Sequence, residues 1–488
     1  MMSLIIKKSR SARIDFEKRL WYHGHKDHVW EGYAMTDFAA LPVEKLLNRT
    51  WSDCPCGRPH ATDVRYLKIG RGAVNALPEA LAALNCRHPF LVCDLNTLDA
   101  AGSTAIDALR AAGLPHTLCA FHTRDRLNPA EWELGSLTLR FDPACDVIVG
   151  VGGGVINDLC KLLGRAARRP TAIVATAPSM DGLASNSGAM EVGGIKKTLY
   201  TPSPTAVICD TEIMAKAPRR MLLAGIGDMI AKHTSLCDWR MSNLVNSEYY
   251  CPAVADMMRA ALRRTLQNLD GILARDPDAV GAMAEGLVLA GIAMSFARVS
   301  RPASGLEHCF SHIWEMMALE RKRPYDLHGL QVGVGTALAL PVYRWAMTLR
   351  PCMDDVEAAI ARFDEAAWAD DLRRVFGSAA APLIEQEKTM RKNAPDGRRR
   401  RARNIIAHWD EILAILREEL PAPDFLDKMH EIGLPMRPRD IGISDQDALD
   451  AFLCTRDIRD RYLFSSLLWD IGQLTPAADI LRTTLSTQ

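Results

Sequence analysis

The apolar run Val147-Ile148-Val149 passes into Gly150-Val151-Gly152-Gly153-Gly154 and then into Val155-Ile156-Asn157-Asp158-Leu159-Cys160-Lys161. Read in order, these residues are a buried strand, a glycine-rich turn and the start of a helix. Around them, from about Val64 to Asp210, short apolar runs alternate with helical stretches. Phe90-Leu91-Val92-Cys93 reads as a strand ending at Asp94, and residues 97–113 and 155–167 read as helices. Ala172-Ile173-Val174-Ala175 and Ala206-Val207-Ile208-Cys209 read as further strands. Such alternation predicts a parallel sheet covered on both faces. After Pro218 the texture changes. Segments 222–241, 253–275, 279–299 and 305–320 carry helical apolar spacing without strand signals, as do 355–376, 403–419 and 445–471. At 488 residues the chain is too long for one ordinary core. The expectation is an N-terminal extension over 1–60, an α/β domain over 61–216 and an all-α domain over 217–488.

Charge narrows the partners. Lys+Arg and Asp+Glu both number 59, so no global field favours nucleic acid or an anionic membrane, and any anion must be held by a local site. The basic run 388–403, with Arg398-Arg399-Arg400-Arg401, lacks aromatic interleaving and reads as a solvated, turn-containing loop. No stretch is read as approaching the roughly 18 apolar residues of a membrane span, and Leu4-Ile5-Ile6 is too short for a signal-peptide core. Thirteen scattered cysteines, an odd number, do not form a secreted disulfide framework, so the expectation is cytoplasmic, with reduced thiols. Cys54-Pro55-Cys56 with His60 raises a zinc knuckle, with His23, His25 or His28 as a further ligand. Structural zinc sites usually pair two C-x₂₋₄-C spacings, and only one short C-x-C occurs here, so a turn near the start of the first domain is the expectation.

The glycine turn carries chemistry. Without Cβ atoms at Gly152, Gly153 and Gly154, backbone N–H groups can approach a pyrophosphate, and the following helix adds its partial positive charge. Asp94, at the end of an earlier strand, can bond a ribose hydroxyl and leans toward NAD over NADP. The competing role for Asp94 is a helix N-cap before Asn96-Thr97.

GVGGGVINDLCK, TAPSMDGLASNSG (176–188), GIGDMIAKHTSLCDW (225–239), ASGLEHCFSH (303–312) and DLHG (326–329) follow in that order. The series resembles the sn-glycerol-1-phosphate dehydrogenases, which share a superfamily with iron-containing alcohol dehydrogenases, glycerol dehydrogenase and dehydroquinate synthase. The resemblance spans about 54 to 345, and CPCGRPH at 54–60 resembles the start of bacterial members. It implies a Rossmann-like N-terminal domain, an α-helical C-terminal domain and an active site in the cleft between them. It implies a divalent metal on Asp228, His308 and His328, a donor set that suits zinc, iron or nickel. His308 and His312 share a helix face, so spacing alone leaves the ligand open; the family pattern favours His308 and leaves His312 as a proton relay. Asp181 matches a substrate-facing position, with an Asp-Gly turn as its alternative. Asp158, Thr176, Ser179 and Ser185 join the cofactor side. Lys232, on the helical face of Asp228, and Lys197 are candidates for a substrate phosphate, against solvated lysines.

The expected reaction is hydride transfer between NAD(P)H and dihydroxyacetone phosphate, giving sn-glycerol 1-phosphate. A dehydroquinate-synthase-like cyclase and a polyol dehydrogenase such as glycerol dehydrogenase are the rivals. TAPSMDGLAS favours the dehydrogenase over the cyclase, and a real phosphate site would argue against the polyol enzyme. The family suggests a homodimer acting on a small phosphorylated substrate, without nucleic acid or membrane.

Overall fold

The computed structural model describes residues 37–193 and 195–487. Six strands form one parallel sheet: β1 (Tyr66–Gly70), β2 (Pro89–Asp94), β3 (Thr117–Phe121), β4 (Val147–Gly152), β5 (Thr171–Ala175) and, after a hairpin, β8 (Ala206–Asp210). The hairpin pairs β6 (Ser187–Val192) with β7 (Ile195–Tyr200) in antiparallel register. Sheet order is β1-β8-β5-β4-β2-β3. Every residue of β4, β5 and β8 is buried, as expected for strands covered on both faces. The chain leaves β4 toward β5 on one side, whereas β2 pairs with β3 on the other, so the sheet switches direction between β2 and β4. Ligand crevices of open α/β sheets lie at the carboxyl ends of strands at such a point.

The glycine turn opens α1 (Gly154–Ala167). Past Arg219 every long regular element among the described residues is helical. The first six long ones are α2 (Arg219–Ile230), α3 (Lys232–Asn246), α4 (Pro252–Leu266), α5 (Pro277–Ala297), α6 (Leu306–Glu320) and α7 (His328–Ala346), of which α2, α5, α6 and α7 line the site. The α/β sheet followed by helices is the predicted fold class.

Three expectations change. The continuous segments 355–376, 403–419 and 445–471 are each split, into Met353–Ala361 and Glu365–Phe376, Pro395–Ala407 and Trp409–Glu419, and Asp445–Cys454 and Phe464–Asp470. The basic run is no solvated loop. From Pro395 it forms α8 (Pro395–Ala407), in which Arg398 is buried with its guanidinium 4.2 Å over the Trp469 ring and Arg401 is held by both oxygens of Asp470 at 2.7 Å. Burial of stem and ring surface supplies what a count of charges misses. Third, α5 is long and apolar enough to cross a membrane, contrary to the reading that no stretch approaches one. Of its most apolar window, 89% is buried against the sheet and neighbouring helices, so it is a core helix.

The tightest packing is between α2 and α7. A Cβ on Gly227 would lie 2.2 Å from the Gly329 carbonyl oxygen, and one on Gly329 would lie 2.0 Å from that of Ala224. The two backbones touch where any side chain would clash with main chain, which cannot swing away. A similar approach brings Gly335 of α7 against Glu307 of α6, where a Cβ on Gly335 would lie 2.6 Å from the Glu307 carbonyl oxygen. Gly329→Ala is expected to lower the unfolding free energy by at least about 1–3 kcal/mol, the usual cost of overpacking. Urea denaturation checks it; an unchanged midpoint would mean that the helices part without cost.

Candidate active site

Asp228 follows Gly227, His328 precedes Gly329 and His308 follows Glu307, so each sits beside one of these backbone contacts. One ligand atom from each of Asp228, His308 and His328 lies within 4.8 Å of the others. His308 Nε2 is 3.4 Å from Asp228 Oδ1, and the His308 and His328 ring centroids are 5.3 Å apart. Asp228 Oδ2 accepts the backbone N–H of Asp181 at 2.8 Å, whereas the buried Oδ1 has no hydrogen-bond partner among the described residues. A buried carboxylate oxygen without a donor is costly unless something positive meets it. The imidazoles are oriented from behind: His308 Nδ1 lies 2.8 Å from Glu307 Oε1, and His328 Nδ1 lies 3.0 Å from Ser311 Oγ and 3.4 Å from Glu315 Oε1. Carboxylates behind imidazoles, an orphaned carboxylate oxygen and an open side fit a divalent metal.

The trio lies on a cavity of about 480 Å³ at the carboxyl edge of the sheet. Asp94, Gly153, Gly154, Asp158, Thr176, Ser179, Asp181, Ser185 and His312 also line it. A family model described as iron-containing alcohol dehydrogenase matches residues 68–218. Glycerol-1-phosphate dehydrogenase (NAD(P)+) of Halalkalibacterium halodurans is 36% identical over 303 residues, 62% of this chain and 76% of that protein. This chain belongs to the glycerol-1-phosphate dehydrogenase family. The enzyme of that name from Thermofilum pendens is 35% identical over 274 residues, 56% of this chain and 76% of its own. Two solved structures share the fold. A probable glycerol dehydrogenase from Sinorhizobium meliloti 1021 has a TM-score of 0.54 at 16% identity, covering 86% of this chain and 98% of that one. Maleylacetate reductase from Rhizobium sp. strain MTP-10005 has a TM-score of 0.55 at 16% identity, covering 88% and 97%.

Within this member of the glycerol-1-phosphate dehydrogenase family, the predicted residues divide. Gly153 has open space where a Cβ would be, whereas a Cβ on Gly154 would lie 2.7 Å from Met180 Cε. Gly152 does not line the cavity; a Cβ there would lie 2.6 Å from Ile156 Cγ1, so its absence lets Ile156 seat α1 on β4. Asp94 is the N-cap, accepting Thr97 N–H at 2.8 Å, and it also lines the cavity. Asp158 pairs with the buried Lys161 at 2.9 Å and accepts Ala189 N–H at 3.1 Å, tying α1 to the hairpin. Ser185 Oγ donates to the Gly182 carbonyl at 3.0 Å.

Lys232 is a correction. It is fully buried, off the cavity, and its ammonium donates to Asp181, to the Asp228 carbonyl at 2.9 Å and to the Ala303 carbonyl at 3.5 Å. Its three donors are spent, so it is no phosphate ligand; it fixes Asp181 and the helix turn that carries Asp228. Lys197 is exposed and off the cavity too, because successive strand side chains face opposite ways. Its neighbour Lys196 lines the cavity and pairs with Glu315 at 3.0 Å. Sequence reasoning also missed Arg459, which lines the cavity, donates to Thr198 Oγ1 at 3.0 Å and has no ion pair among the described residues. The alternation of β7 was a usable signal for Lys196; nothing local marked Arg459, which arrives from a distant loop.

Burial favours protonation of Asp181 and the neighbouring Asp228 carboxylate adds to this, together outweighing Lys232 and His308. Burial also disfavours charge on Asp228, but the Lys232 ammonium and the facing His308 imidazole outweigh it and hold this group well below the usual carboxylate range. His312 is driven well below an ordinary histidine by burial and by the cation Arg459, so it is neutral. Burial opposes charge on His308, yet bonds to Asp228 and Glu307 overcome it and raise this group to about 8. A metal must displace that proton. Metal affinity of the metal-free protein is therefore expected to fall about tenfold per pH unit below about 8, measured by calorimetric titration across that range; a flat profile would exclude a proton on His308. Glu307→Gln is expected to weaken metal binding by about 10- to 100-fold, in the same titration.

Proposed function

We propose that this protein is a metal-dependent NAD(P)-linked oxidoreductase that interconverts dihydroxyacetone phosphate and sn-glycerol 1-phosphate. The observation that carries the reading is one cavity holding the glycine turn, the Asp228–His308–His328 trio and the unpaired Arg459. Membership of the family agrees with it, and the curated relatives bear that activity in their names.

Gly153 and Gly154 would bring backbone N–H groups to the pyrophosphate, with Asp94 at the ribose and Thr176 and Ser179 beside the nicotinamide end. Asp228, His308 and His328 would hold a divalent ion, which when bound supplies Lewis-acid polarisation of the ketone oxygen. Arg459 and Lys196 would bind the phosphate. Neutral His312, whose Nδ1 has no hydrogen-bond partner among the described residues, would pass a proton to or from the substrate oxygen through solvent. Asp181, held by Lys232, would orient the hydroxyl side of the substrate. The division near residue 216 gives the sheet the cofactor and the helices the metal. None of the thirteen cysteines stands in a disulfide, which supports a cytoplasmic setting. A homodimer is supported by Trp132, 83% exposed, and Leu139, 90% exposed, on one face of the helix Glu131–Arg140.

The test is NADH consumption by metal-loaded protein with dihydroxyacetone phosphate, beside Asp228→Ala. Steady consumption that yields the sn-1 phosphate and disappears in the variant is expected. No turnover from a protein that binds metal and NADH would overturn this substrate and direct attention to larger sugar phosphates. Arg459→Ala should raise KM for the phosphorylated ketone by about 10- to 100-fold, the contribution of a charge-assisted hydrogen bond. Unphosphorylated dihydroxyacetone, assayed in parallel, should respond little.

A further inference from the structure

A second cluster of metal-ligating side chains lies outside the cavity. Cys54 and Cys56 stand on a turn closed by the Gly57 N–H to the Cys54 carbonyl at 3.0 Å. His60 follows on an extended segment paired with Trp51 in both directions, at 2.8 and 2.9 Å. The fourth member, Cys251, comes from the far side of the sequence and is the residue that immediately precedes α4. Each offers one atom, and all four atoms lie within 4.8 Å of one another. Cys54 Sγ is 3.6 Å from Cys251 Sγ, and His60 Nε2 is 3.3 Å from Cys56 Sγ and 3.6 Å from Cys251 Sγ.

These spacings decide between three uses of the thiols. A disulfide needs sulfurs about 2.0 Å apart. Thiols packed as small hydrophobes need no common centre and no imidazole nitrogen aimed among them. Four ligands around a tetrahedral zinc, with Zn–S near 2.3 Å and Zn–N near 2.0–2.1 Å, stand about 3.5–3.8 Å apart along the edges. Two of the three separations, both 3.6 Å, fall in this range, and the third, at 3.3 Å, lies just short of it.

The imidazole is prepared for it. His60 is fully buried, stacked on Phe296 at 5.6 Å, and its Nδ1 sits 3.0 Å from the Phe296 carbonyl oxygen. A carbonyl only accepts, so Nδ1 carries the proton and Nε2 presents its lone pair to the sulfurs. Cys251 stands ahead of the first turn of α4 and meets the partial positive charge of the helix start. Tyr249 Oη, 3.6 Å from Cys56 Sγ, is placed to donate to a thiolate there.

We propose that Cys54, Cys56, His60 and Cys251 bind a structural zinc ion. Four protein ligands leave no open position, so the ion is structural and takes no substrate. Thiolate donors select zinc over hard divalent ions such as magnesium and calcium. The site clamps the segment before the sheet to the start of α4 and, through the His60–Phe296 bond, to the end of α5. The turn expected at Cys54–Cys56 is present, and the ligand that completes the set is the distant Cys251; His23, His25 and His28 lie outside the described residues.

The two metal sites differ in sulfur, which gives the test. Full-length protein and Asp228→Ala are purified without added metal, stripped of weakly held ions with a mild chelator and assayed for zinc. About one zinc per chain is expected to remain in both, and to be lost in Cys251→Ser. Should that variant fail to fold, unsubstituted protein grown on cobalt in place of zinc is expected to show the sulfur-to-cobalt charge-transfer band of tetrahedral thiolate coordination, with the same band in Asp228→Ala. Absence of both retained zinc and the band would overturn the proposal. So would a Cys54–Cys251 disulfide, found by peptide mapping of unreduced protein whose intact mass is lighter by two hydrogens than the all-thiol chain. Catalytic inactivity alone would bear on the dehydrogenase reading and leave the cobalt–thiolate band unchanged.

Discussion

The geometry of the site depends on main chain meeting main chain. Asp228, His308 and His328 lie on three different helices, and their ligand atoms converge because α2, α6 and α7 touch at glycines. Side-chain packing tolerates rearrangement, since rotamers can change and small gaps can be refilled. A carbonyl oxygen 2.0 Å from where a Cβ would stand permits no such adjustment. The spacing of these three ligand atoms is thus fixed by the fold, the preorganisation that metal binding and hydride transfer at the trio would use.

Around that frame the charges are buried in pairs. Lys232 with Asp181, Lys161 with Asp158 and Lys196 with Glu315 each place an ammonium against a carboxylate at low exposure. Such pairs are poor sources of net stability, because both ions lose their hydration. Their use here is positional. Lys161 holds the glycine-turn helix to the hairpin, Lys232 holds the turn at Asp181 to the metal-ligand helix, and Lys196 and Glu315 together set one wall of the cavity beside His328. Asp228 is the exception, with one oxygen left over.

Much of this was legible in the sequence because the signals were local. The strand–glycine–helix run, the texture change after Pro218 and the ordered motifs give the fold class and the convergence of Asp228, His308 and His328. What escaped depends on contacts between remote residues. Lys232 looks like an available cation until the carbonyls around it are seen. Lys196 and Lys197 are told apart only by the phase of a strand that had not been recognised. Arg398 reads as solvated because its cover, Trp469, is far along the chain. Arg459 and Cys251 share this remoteness: neither residue type nor spacing says what a side chain meets hundreds of residues away.

Arg459 stands on the loop between the helices Asp445–Cys454 and Phe464–Asp470, well past the last metal-ligand helix. The atoms that would perform the chemistry are locked by glycine contacts, while the cation proposed for the substrate phosphate hangs from a separate connection. On that reading, reactivity and selectivity are carried by mechanically independent parts. Drift in the loop can retune which tail is accepted, in size or in charge, without disturbing the spacing of Asp228, His308 and His328. A scaffold divided in this way can diversify its substrates at little cost to its rate.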